Sequence, residues 1–553
     1  MGCCLGSYRS VLLLAIITLL PSYSDLAEAH ESSRAAFEAS RRVALAKAQE
    51  DAEQTSERVS EFAELSVELQ DAESGKLLPG LIRVTNLETG KVVEISEEIH
   101  RELNWYSVAG RSVVKVPRAK LRVEAIHGIE TQRTSEEIDL TERTEATLRF
   151  KLKRFYDPRD RGVVGGNTHL HLMKLSYEAA MRYLELVPKS DGLDVVFLSH
   201  LRRMPDERTY ISNLIVEKSF DGGELAKLTE YGTVFGNGEE HRHNFESNSE
   251  GYGHVMLLNL KKLIRPISIG PGIMKSGTDG MPVQRGISEA REEGATVVWC
   301  HGRYGMEDVP NWVAGLLDAQ NIFDGGSSGG YDGSFYKYLN LGMKVPFSTG
   351  TDWFMYDFSR VYVPIEGAVT VEKWLEQLAA GRSYITNGTF LEFEVDGRKI
   401  GQTISLDSPA KVNVRGLALG RNDFGSVELV FNGEVVHEVK SSDVEGSFAA
   451  EMNFDFSVTE PGWLALRIPR DVGKNELDNE LFAHTSPVYV ELAGEQVFQP
   501  QVARMLIKEI EQNMNKISEG GIFDPGEEET VLEVHRQGIV GLERLLDEPR
   551  TGE

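Results

Sequence analysis

Cysteine is almost absent, with only Cys3, Cys4 and Cys300 among 553 residues. The first two lie in what reads as a leader. The mature chain then keeps one thiol, cannot form an internal disulfide, and must hold its cores together unaided. Positive charge is also in deficit: 59 Lys and Arg stand against 86 Asp and Glu, for a formal net charge of −27. Such a chain repels nucleic acid and anionic membrane surfaces. No apolar run exceeds Val11 to Leu20, which is too short for a stable membrane span. A phosphate cradle is lacking as well. The run Gly325-Gly326-Ser327-Ser328-Gly329-Gly330 does not have its spacing and reads as a mobile loop that takes no nucleotide.

What is present divides the chain. Arg9, the apolar run and Ala27-Glu28-Ala29 form a signal peptide over 1–29, which predicts export to the periplasm or beyond. Residues 30–64, rich in Ala, Glu, Arg and Ser, read as a helical or flexible lead-in. From Leu65 apolar residues alternate with polar ones, and Ser74-Gly75 and Thr89-Gly90 punctuate them, so 65–155 reads as a β-sandwich. Over 156–390 short apolar strands such as Val195 to Leu198 and Val297 to Cys300 alternate with helical stretches (Tyr177 to Val187, Val371 to Ala380). Alternation of this kind predicts a mostly parallel α/β sheet, open or closed into a barrel. The hairpin signal Val427 to Phe431, Asn432-Gly433, Glu434 to Val436 marks a second sandwich over 391–495. A helical hairpin over 496–553 completes the chain, its second helix starting at Asp524-Pro525.

Of 13 histidines, seven fall between His169 and His301. His169 and His171 stand two apart in an extended segment, so both imidazoles point to one side and can reach one ion. His200 follows Val195 to Leu198, His301 follows Val297 to Cys300, and Asp352 follows Val345 to Gly350. Polar residues at successive carboxyl ends of parallel strands share one mouth of the sheet. His241 and His243 read as residues of a polar, solvated loop. Arg303 and Arg360 are anion clamps or, at least as readily, charges paired at the surface, and His484 is a residue that either approaches the mouth or sits at a sheet edge.

The ordered series Gly166-Asn167-Thr168-His169-Leu170-His171, Gly192 to His200, Gly238-Glu239-Glu240 with Gly253-His254, Trp299-Cys300-His301 and Ser348 to Asp352 resembles the PHP (polymerase and histidinol phosphatase) metal-dependent hydrolases. Gly381 to Gly388 and Phe393 to Gly397 are similar to the CehA/McbA branch. The resemblance covers roughly the middle half of the chain. It implies a distorted (β/α)7 TIM-like barrel, here flanked by two β-sandwiches, and a metal site. One ion would take His169, His171, a bridging Glu240 and Asp352; a second would share Glu240 and take His254 and His301. Glu239 is the alternative bridge, and one of the two glutamates is expected to be a solvated loop charge. The family's histidines after the H-x-H pair and after the closing aspartate are missing, which implies two divalent ions (zinc, manganese or iron) rather than three. His200 is a remaining ligand, a general acid/base or a structural histidine, with the acid/base role preferred. The resulting expectation is an exported hydrolase that activates water with two metals, first for a phosphoester, with a carboxylic ester or carbamate as the alternative. A small molecule or a cell-envelope component would be its substrate. The rivals are a non-catalytic ligand-binding protein and a metal-free structural protein.

Overall fold

The computed structural model describes residues 61–204, 210–230, 232–245, 251–302, 304–327 and 329–547. The signal peptide, nearly all of the lead-in and Arg303 lie outside the described residues. No helix among the described residues is long and apolar enough to cross a membrane.

The first strands build two sheets over one core. The strand Phe62–Asp71 pairs with Arg111–Pro117 and Glu145–Leu152, and Gly80–Asn86 leads a second sheet with Tyr106–Val108 and Lys120–Ile126. Leu65, Val67 and Leu69 alternate inward and meet Ile82, Val84, Leu121 and Val123 from the other sheet. A strict period of two sends every second side chain to the same face, and here that face is dry.

The middle of the chain departs from a (β/α)7 barrel. Val163–His171, Val195–His200 and Val234–His243 run parallel, as do Thr296–Cys300, Ala319–Asn321 and Phe347–Ser348. Between these two sets lies Gly253–Leu258, antiparallel to both of its neighbours. The connection 244–252 is shorter than the dozen or so residues that a parallel crossover needs, so the chain can only turn back on itself. On the far side Arg360–Pro364 lies antiparallel to Val163–His171, then Tyr384–Thr386 pairs with Ala483–Thr485. The result is a large curled sheet of mixed direction in a chain dominated by strands.

The second sandwich is not a separate flank either. One five-stranded sheet, with Thr389–Val395, Ala410–Gly420 and Ser447–Val458 at its centre, stands apart. The other strands of this region extend the curled sheet through Ala483–Thr485. An open edge at Tyr384–Thr386 would leave backbone groups unpaired, and this pairing satisfies them. The hairpin forms where its turn signal stands, Ser426–Phe431 against Glu434–Lys440, with Asn432 and Gly433 both at positive φ. The helices Pro500–Gly520 and Glu527–Asp547 bury Leu506, Ile510, Ile517, Val531 and Leu542 in the same core as the curled sheet. The second starts two residues later than Asp524-Pro525 implies.

Candidate metal centre

One rim of the curled sheet gathers the polar residues. His169 and His171 end the strand Val163–His171, and Glu240 lies near the end of Val234–His243. His254 opens Gly253–Leu258, and because that strand runs backwards, its start lies at the same rim. His301 follows Cys300, and Asp352 opens the short strand Asp352–Trp353. These six residues fall into two sets with ligand atoms within 4.8 Å of one another: His169, His171, Glu240 and Asp352, all buried, in the first, and Glu240, His301 and the partly buried His254 in the second. A third set joins His169 and His301 to Cys300 and Asp324.

Hydrogen bonds identify the nitrogens that carry no proton. His171 Nδ1 donates to the Ser199 carbonyl at 3.0 Å, and His169 Nδ1 donates to Asp324 Oδ2 at 2.9 Å. Each neutral ring then has a bare Nε2, and these two atoms are 3.0 Å apart. Glu240 Oε2 lies 3.1 Å from the His171 Nε2, and Asp352 Oδ1 lies 3.3 Å from that of His169. Four lone-pair donors thus face one another in a dry interior. Ligands held about 2.0–2.2 Å from a single tetrahedral ion stand roughly 3.3–3.6 Å from each other, and the spacings here run from 3.0 to 3.9 Å around that range. Glu240 Oε1 turns to the second set, 3.1 Å from His254 Nδ1 and 3.5 Å from His301 Nε2. His254 Nε2 donates to Asn244 Oδ1, so its Nδ1 is bare and makes no hydrogen bond. Asp352 Oδ1 and Asp324 Oδ1 are likewise buried without one. Misaligned close contacts between buried acceptors fit a cation, and the nitrogen and oxygen donors suit zinc, manganese or iron.

Titration follows the same geometry. Burial works against a charged His169, but Asp352, Asp324 and Glu240 outweigh it and raise its pKa. His301 is raised well above the usual imidazole value against burial, chiefly by Asp324. Burial and the Arg242 charge push His254 down to about 3. Glu240 is held well below the carboxylate range despite burial, by Arg242 and the three histidines around it. Without a cation, a proton on His169 or His301 is what relieves the cluster.

Other residues are placed differently from their sequence reading. Glu239 is not a solvated charge: it is fully buried on the opposite face of its strand, where it meets His241 Nδ1 and accepts from the Ile264 amide. His241 and His243 are buried in the same strand rather than in a loop. His243 bonds Asp279 and stacks on Tyr252. His200 is buried with Nε2 against Glu217 at 3.2 Å, while its Nδ1 makes no hydrogen bond; it belongs to none of the three sets. Arg360 is buried and donates to backbone carbonyls, so it clamps no anion. His484 is locked in a network with Tyr336.

Asp324 escaped the sequence reading because its strand, Ala319–Asn321, is three residues long and not apolar. Its turn belongs to the glycine-rich run and is packed: a Cβ on Gly325, at φ +63°, would stand 2.5 Å from Asp352 Oδ2. Only a residue without a side chain lets the turn pass that carboxylate.

No protein-family model matches the chain, and no curated protein does. Among solved structures the Bacillus anthracis TIE protein is similar at 9% identity and a TM-score of 0.13, over 78% of this chain and 50% of that one. The chain thus spans half the length of that protein, and a likeness this slight carries no argument.

Proposed function

We propose that the chain is an exported metal-dependent hydrolase of the PHP type, in the CehA/McbA branch, and that it cleaves a phosphoester. The observation that carries this is the pair of bare Nε2 atoms on His169 and His171, facing carboxylate oxygens of Glu240 and Asp352. His169, His171, Glu240 and Asp352 would hold one divalent ion. Glu240, through its other oxygen, would hold a second with His254 and His301. When bound, such ions supply Lewis acidity and bring the pKa of water toward neutrality.

The protein's own groups do the rest. Asp324 and the Ser199 carbonyl fix the tautomers of His169 and His171 and leave Nε2 free to hold an ion, as outer partners of metal ligands would. Trp353, 5.3 Å from the His171 ring, walls the site beside it. In this reading His200, whose Nε2 donates to Glu217 and whose Nδ1 makes no hydrogen bond, would accept a proton at Nδ1, with burial lowering its pKa.

The depth of the cluster favours one rival, a structural metal site without turnover. His254, 17% exposed, is its most open ligand. Elemental analysis of the purified protein, together with turnover of p-nitrophenyl phosphate, bis-p-nitrophenyl phosphate and p-nitrophenyl acetate, separates the readings. About two metals per chain and phosphoester cleavage abolished by a chelator are expected. Metal without turnover of any substrate would leave the structural site, and turnover that persists in metal-free protein would end the proposal.

A further inference from the structure

Arg242 is no metal ligand, yet its side chain is in the cluster. It stands two residues after Glu240 on the same inward face of the strand, and its Nη1 donates to both Glu240 oxygens at 3.1 and 3.0 Å. The side chain is 8% exposed, and its Nε is buried with no hydrogen bond. Its cross-strand neighbour is His254, the ligand nearest to solvent. The guanidinium therefore sits on the accessible side of the cluster.

We propose that Arg242 holds an anionic oxygen of the substrate, so that the enzyme favours phosphoesters over neutral carboxylic esters or carbamates. This rests on the metal-dependent reading above. Three carboxylates, Glu240, Asp324 and Asp352, would face the charge of two divalent ions once these were bound, and the buried guanidinium adds a further positive charge beside them. Each Glu240 oxygen that takes an ion gives up part of its hold on Arg242, because the guanidinium and the ion repel one another. Loaded with metal, the site has positive charge in excess and a guanidinium short of acceptors. A phosphoryl group offers several charged oxygens to that planar fork, whereas a neutral ester offers one weak acceptor.

The test uses the metal-loaded full chain, with metal content measured on every sample. Inorganic phosphate is titrated calorimetrically into the wild type, Arg242→Gln and Arg242→Lys, and KM is measured for p-nitrophenyl phosphate and p-nitrophenyl acetate. Arg242→Gln should keep its metals and bind phosphate on the order of tenfold more weakly or worse. Its KM for the phosphoester should rise while that for the acetate stays, and Arg242→Lys, with the charge but not the fork, should fall between. Unchanged phosphate binding with full metal content would overturn the proposal, as would loss of metal from Arg242→Gln, which would make Arg242 a holder of Glu240 only. If Arg242→Gln does not fold, Arg242→Lys decides by the same comparison. A wild type without metal would instead sink the hydrolase reading, before any phosphate is added.

Discussion

The strand Val234–His243 carries a buried glutamate on each face, each beside histidines, and the two faces behave differently. On the outer face Glu239, His241 and His243 are satisfied: Glu239 meets His241 and an amide, and His243 meets Asp279 and receives the Tyr252 amide. On the inner face Glu240 meets the bare nitrogens of His171 and His254, and lies 3.5 Å from His301 Nε2. Residue types and burial are alike, so neither marks a site. What separates the faces is whether each lone pair has a proton to meet. A satisfied polar cluster holds structure together, whereas a cluster of facing acceptors could hold a cation.

The sharpest way to break this contrast is to remove inner-face ligands. His169→Ala or Asp352→Asn should cut bound metal to about one ion per chain or fewer and activity by roughly a thousandfold or more. Elemental analysis and steady-state rates on the same preparations check it. Full metal retention in both variants would erase the distinction between the faces.

The outer face should respond in stability instead. His241→Ala leaves Glu239 buried without its partner and should cost about 3–5 kcal/mol in denaturant unfolding, with metal content unchanged. Gly286→Ala presses on the same ring, since its Cβ would stand 2.1 Å from His241 Nε2, and should cost about 1–3 kcal/mol.

The smallest effect is in pH. His169 and His301 have folded pKa values raised above the usual imidazole value of 6.5. Their protonation stabilises the metal-free fold fully below about 6.5, and that contribution is lost as pH rises through the raised values. Metal binding runs the other way, because ligands must shed protons before they bind. Melting temperature from pH 6 to 9 should therefore fall with chelator present and fall less, or rise, with metal. Parallel slopes would mean that no ion competes with those protons.

Much of the site was legible because it rests on local spacing. His169 and His171 stand two apart in a strand, and His301 follows a short apolar run, so their positions at strand ends could be read from neighbours alone. The choice between Glu239 and Glu240 could not, since it depends on which face of one strand turns inward. Asp324 was hidden by a strand too short to show a pattern, and Arg242 by a segment whose charged residues look like a loop. The barrel was misjudged for a similar reason. Apolar strands and helices do alternate, but Gly253–Leu258 and Arg360–Pro364 run antiparallel, and direction is not written in an apolar run.

By itself the sequence determined the elements that follow from period and turn chemistry: the alternating strands from Leu65, the Asn432-Gly433 hairpin, the amphipathic terminal helix and the paired histidines. These depend on near neighbours, whose geometry the backbone dictates. Tertiary structure alone decided that one sheet runs from the candidate metal centre into the second sandwich, that Glu240 faces two sets of candidate ligands while Glu239 faces neither, and that Arg242 stands among them. Those outcomes depend on which strands lie side by side and in which direction, and only the packed whole fixes that.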